Sequence, residues 1–202
     1  ANLMGRGMDF TLTSQNLQGA LQWSSTLMLS YNKVKVTKYM IERNPVMSAI
    51  QNVAPIEGYP AYAVFSYRWG GLNPETGNPI GFLNGEASED YRSIVNNSTI
   101  DDLILHGNAR PLWFGSLRND LRYKNIALSM NIGFRFQYFF RRAGLEQGDL
   151  GTWRPLHADL SKRWQAPGDE LHKNVPSYIY PTNSFRNNFY NGAEINVHRG
   201  DV

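Results

Sequence analysis

The chain has 202 residues, enough for one or two ordinary domains with a real core. Its 42% hydrophobic and 13% aromatic content excludes wholesale disorder. With no cysteine, disulfide frameworks, thiol catalysis and thiolate metal sites are excluded; a net charge of +3, with 20 Lys and Arg scattered along the chain, offers no basic stripe for nucleic acid.

Mean hydropathy is negative, and no apolar run approaches the ~20 residues of a membrane helix. A β-barrel stays compatible with both facts, because barrel strands hide half their residues from lipid. The sequence starts at Ala1 with neither an initiator Met nor a secretory signal. A processed chain, or a piece of a longer polypeptide, is therefore expected.

The first periodic segment spans residues 7–16, with Met8, Phe10 and Leu12 alternating with Asp9, Thr11, Thr13 and Gln15. A short connection containing Gly19 suits a tight hairpin. Residues 21–36 follow, one face carrying Leu21, Trp23, Leu27, Leu29 and Tyr31, the other Gln22, Ser24, Thr26 and Ser30. Residues 37–112 form a very long connection, rich in the Pro, Gly, Asn and Asp of turns. A third strand is predicted over 113–123, where Leu117, Leu121 and Tyr123 alternate with Ser116, Arg118, Asp120 and Arg122. Such charges cannot enter a dry core unpaired, so they face solvent or a wet lumen.

After Lys124-Asn125, every second residue from Ile126 to Tyr138 is apolar, and a strand over about 126–139 is predicted. Strands in soluble domains run ~5–6 residues. At ~3.3 Å per residue and ~45° of tilt this one would stand about 28 Å tall, near the ~25 Å apolar band of an outer-membrane barrel. A long strand of a soluble sandwich or a β-solenoid is the alternative. The connections alternate short, long, short, long (140–188), the asymmetry of barrels with tight periplasmic turns and extended outer loops. Four strands cannot close a barrel, so further segments must complete the sheet.

Several stretches carry a family resemblance. GYPAYAVFSYRWGGLNPETGNP (residues 58–79), GSLRNDLRYKNIALSM (115–130), RWQAPGDELHKNVP (163–176) and SYNKVKVTKY (30–39) resemble segments of SusC/RagA-family TonB-dependent outer-membrane transporters, in the family's order. The resemblance implies a plugged barrel of about 22 strands, TonB-coupled import of oligosaccharides or peptides, and a SusD-like surface lipoprotein over the outer loops. It makes residues 1–202 part of the barrel domain, without the plug or the TonB-contacting segment, and residues 189–202 the lead-in to a further strand. The localisation implied is the bacterial outer membrane.

Catalytic and metal signatures are weak. His106, His157, His172 and His198 fall singly, without metal-ligand spacing. Glu89-Asp90, Asp101-Asp102 and Asp169-Glu170 are adjacent pairs, not the facing carboxylates of a glycosidase. The Asn73–Asn78 turn lacks the spaced acids of a calcium loop. No enzyme activity, cofactor or metal is expected.

The loops hold aromatic clusters beside arginines, which suit sugar rings or extended peptides. Tyr67, Arg68, Trp69, Trp153 and Trp164 are the candidate substrate-binding residues; the competing reading, favoured for loops this large, is that these rings pack the loops together. The predicted fold is all-β: a section of a transmembrane antiparallel β-barrel with long extracellular loops. Arg118, Asp120, Arg122 and Arg135 would face the lumen and the aliphatic stripes would meet lipid. A soluble β-rich, lectin-like glycan-binding module is the alternative.

Overall fold

The structure is a computed structural model describing residues 1–40, 45–51, 55–145 and 157–201. Its frame is a four-stranded antiparallel sheet in the order β1 (Asn2–Leu17), β2 (Leu21–Lys38), β7 (Trp113–Tyr123) and β8 (Ile126–Phe136). The sheet is open: β1 and β8 are its edges, and the described residues close no barrel.

The period-two segments form these strands, with different ends. β1 starts at Asn2, not Gly7, because its first residues continue to pair with β2 as far as Lys38. β8 stops at Phe136, short of the predicted 139. Gln137 takes a left-handed φ of 59°, and its N–H turns to Asp201 Oδ1 at 2.7 Å. Tyr138 accepts from the Gly200 N–H at 3.0 Å. The chain then starts a new short strand, β9 (Phe139–Arg141), paired with β10 (Val197–Arg199). Within the predicted lead-in of 189–202, the described residues 189–201 hold the end of a helix, a 3-10 turn and β10, where the sequence predicted only the approach to a strand.

The two long connections fold together above one end of the sheet. The first contains α1 (Pro45–Gln51), β3 (Ala63–Ser66), the β4–β5 hairpin (Gly81–Leu83 and Glu86–Ser88), α2 (Tyr91–Asn97) and β6 (Ile104–Asn108). The second contributes short 3-10 turns and α3 (Ser184–Gly192). Val46 and Ala49 of α1, Phe65, Tyr67, Tyr91, Ile94, Leu103 and Phe189 make one shared core. α2 opens with Asp90, whose side chain accepts from the Ser93 N–H, and α3 with Asn183, accepting from Arg186.

This loop unit is stitched to the top of β2, beyond the end of β7. The Val36 N–H donates to Tyr59 O at 2.9 Å, Gly58 to Val36 O at 3.0 Å and Ala61 to Val34 O at 3.0 Å. Val36 is 0% exposed there. No other part of the described chain covers the lower sheet.

Candidate functional site

Cross-strand register sorts the sheet into two chemical faces, since directly paired residues point the same way. Arg118 lies between Thr26 and Asn131, Asp120 between Ser24 and Ser129, and Arg122 between Gln22 and Ala127. Arg135 pairs with Phe114 and so shares that face. The register therefore brings all four predicted polar-face residues together. Arg118 Nε is 2.9 Å from Asp120 Oδ2, and Ser129 Oγ donates to Asp120 Oδ1 at 2.6 Å. Further across, Ser30 Oγ donates to Asp9 Oδ1 at 2.6 Å.

The opposite face is aliphatic between aromatic rows. Leu27, Leu117 and Ile132 form one rank across three strands. Tyr31, Trp113 and Phe136 form the rank nearest the loop unit, the first two rings 4.7 Å apart. Leu21, Tyr123 and Ile126 close the other end, with Trp23 beside them. From Trp113 to Tyr123 the strand runs roughly 33 Å, or about 25 Å upright at a tilt of ~40°.

Nothing in the described chain seals this face: Leu128 is 62% exposed and Ile132 50%. Its few polar groups satisfy one another. Trp23 Nε1 and Ser25 Oγ both donate to Asn119 Oδ1, at 3.1 and 2.7 Å, and Asn16 Nδ2 donates to Ser25 Oγ at 2.7 Å. Internally closed hydrogen bonds of this kind suit a surroundings without water.

The candidate binding residues of the loops do not converge on one cavity. Tyr67 is buried, its ring 5.6 Å from Phe189, and burial pushes its hydroxyl up to about 12. Trp69 is half-buried, 6.0 Å from Tyr190. Arg68 is exposed. Trp164 is buried and its indole N–H reaches Glu170 Oε2 at 3.2 Å. It lies against Gly77, whose φ of 66° and missing Cβ the contact requires. Trp153 lies outside the described residues.

Two hollows in the loop unit involve residues that sequence reasoning passed over. One, of about 250 Å³, is lined by Tyr67 with Gln51, Asn96, Arg141 and Asn188. The other, about 380 Å³, is an open trough beside Trp164 lined also by Arg163, Gln165 and Tyr178. Isolated Asn and Gln residues of a polar loop give no pattern by which to find the first. The Tyr178-Ile179-Tyr180 alternation was the available signal for the second.

The Asn73–Asn78 turn is held from within. Asn73 Oδ1 accepts from the Glu75 and Thr76 N–H groups, and the amides of Asn73 and Asn78 donate to the two oxygens of Glu89 at 2.7 and 2.8 Å. Buried Arg186 donates from Nε to Asn78 Oδ1 at 3.0 Å and from Nη2 to Ser177 O at 2.9 Å. Among the described residues no group of three or more His, Asp or Glu could hold a metal. No described helix is long and apolar enough to cross a membrane, which says nothing of crossing by strands.

No family model matches the chain, and no curated protein matches it. Among solved structures it is similar to the RagAB peptide transporter, with a TM-score of 0.64 and 13% identity. The match covers 98% of this chain and 21% of that one, so this chain spans about a fifth of its length. At that identity the likeness is one of fold: a β-rich chain with antiparallel sheets, arranged as in part of a transporter.

Proposed function

We propose that this chain is a section of a SusC/RagA-like, TonB-dependent outer-membrane importer, supplying barrel wall and extracellular loops. One observation carries the reading: a tall sheet whose aliphatic face, bounded by aromatic ranks, is left bare by the described residues, while the reverse face holds paired charges. In water each large side chain left out this way forgoes about 1.5–3 kcal/mol of burial. Against hydrocarbon the same face is at home.

The charged face, with Arg118, Asp120, Arg122 and Arg135, lines the lumen in this reading. Neighbouring barrel strands pair the open edges of β1 and β8, where each unpaired backbone group in lipid would cost several kcal/mol. The loop unit stands outside the cell, in reach of oligosaccharide or peptide cargo and of a SusD-like lipoprotein. Coupling to the TonB complex belongs to parts beyond this segment. The reading needs no catalysis, cofactor, metal or nucleic acid.

Cell fractionation tests it. The protein in its full-length form should sediment with the outer membrane and require detergent for release. Recovery as a soluble, monomeric protein from the aqueous fraction would sink the proposal.

A further inference from the structure

Beyond the aromatic rank, the apolar face of the β1–β2 hairpin changes character. Arg6 sits directly opposite Lys33, and Lys35 is opposite Met4 on the same face. All three cations are exposed, and none forms an ion pair with a carboxylate among the described residues. Like charges facing each other across a strand pair repel, so this arrangement gains from an anion that both can share.

Position says which anion. Arg6–Lys33 is the next rank on this face beyond Met8–Tyr31, about 7 Å further along the strands, with Lys35 about 13 Å from Tyr31. Tyr31 and Trp113 mark the level where aromatic side chains sit at a membrane–water boundary. The opposite side of the same stretch is shut off: Val36 is buried and Val34 half-buried against the loop unit. The basic group therefore points away from the interior, at the height of lipid headgroups, continuous with the bare aliphatic band below it. Basic groups at that depth attract anionic lipid.

We propose that Arg6, Lys33 and Lys35 form a binding site for the phosphates of outer-leaflet lipid headgroups. The inference rests on the importer reading for the orientation of the sheet, with the long connections outward. The guanidinium of Arg6 offers a planar fork to phosphate oxygens, and the two ammonium groups add point charges on either side. The site reads the phosphate and not the acyl chains, and its occupancy falls as salt screens the exposed charges.

The test uses the full-length protein purified from membranes in mild detergent. Phosphorylated lipid A, its dephosphorylated form and inorganic phosphate are added separately, and bound lipid is counted by native mass spectrometry alongside the melting temperature. The expected result is retention of phosphorylated lipid A that drops about tenfold for the triple variant Arg6→Gln/Lys33→Gln/Lys35→Gln. Dephosphorylated lipid should not be retained, and inorganic phosphate should not replace the lipid. Lys124→Gln, at the opposite end of the sheet, serves as the control for loss of a cation away from the site and should behave as wild type. Equal retention of both lipids, unchanged retention by the triple variant, or full substitution by inorganic phosphate would each overturn the site. A protein never recovered in the membrane fraction would instead defeat the importer reading.

Discussion

Tyr67 of the first long connection packs its ring 5.6 Å from that of Phe189 in the second. Phe189 also stacks on Tyr91 at 5.7 Å and is fully buried. One side chain thus ties α3 to α2 and to the residue that follows β3, and the two connections form one body rather than two independent loops.

Phe189→Ala should cost about 3–5 kcal/mol, the range for emptying a buried aromatic site. Because the core is shared, protection from hydrogen exchange should fall together in residues 63–67, 91–97 and 184–192, while β7 and β8 keep theirs. Loosening confined to α3 would show that the two connections fold separately.

The two faces of the sheet make opposite demands on neighbouring positions of β8. Ile132→Arg places a charge in the middle of the aliphatic rank and should cost ~2–4 kcal/mol in a membrane. Asn131→Arg lies opposite Arg118 on the charged face and should cost no more than the about 1 kcal/mol of like-charge repulsion across a strand pair. Folding yields in lipid vesicles compare the two; equal yields would contradict the assigned faces.

Gly77→Ala meets two obstacles at once. A residue with a side chain pays about 1–2 kcal/mol for a left-handed backbone, and the new methyl would overlap the indole of Trp164. Trp164 should be displaced, weakening its bond to Glu170 and shifting its fluorescence toward that of a solvated indole. An unshifted emission in an otherwise Trp-silent background would refute the contact.

His106 supplies a pH dependence of known sign. Its Nε2 lies 2.8 Å from Ser66 Oγ and its ring packs near Phe139. Burial holds its pKa below the ordinary 6.5, with Glu194 opposing and Arg141 assisting. A base with a lowered folded pKa contributes fully above its unfolded value, and that contribution is lost as pH falls through about 6.5 toward the folded value. Asp102 and Asp169, held below 3.8 by hydrogen bonds from Thr99 and from Lys173, act only at lower pH. Melting of the loop unit should drop between about pH 7.5 and about pH 5.5, and His106→Gln should flatten that drop. Identical slopes for both proteins would assign the effect elsewhere.

Period-two patterning made the long strands legible, because a sheet with two unlike faces writes its alternation into every residue. It overran at Gln137: the left-handed turn there is fixed by Asp201 and Gly200, far away in sequence, and apolar alternation continues through it. The packing reading of the loop aromatics fits Tyr67, which shares one parity of its run with Trp69 and is buried. Phe189 was not, since Ser184–Gly192 is mostly polar and its apolar side chains find partners only across the fold. The basic site was hidden for the same reason. Arg6 and Lys33 are scattered charges in the sequence and neighbours only in the hairpin register. The hollows beside Tyr67 and beside Trp164 are equally products of long-range packing.

β2 and β7 are immediate antiparallel neighbours, with Leu27 opposite Leu117, although more than seventy residues separate Lys38 from Trp113. Topologically the whole first connection is the tip of a single hairpin. Its content can therefore be exchanged by grafting without disturbing the strand register, provided that the crossing at Val34 and Val36 and the core shared around Phe189 are kept. The wall is the fixed chassis in such a plan, and the part that meets the outside world is a replaceable cassette.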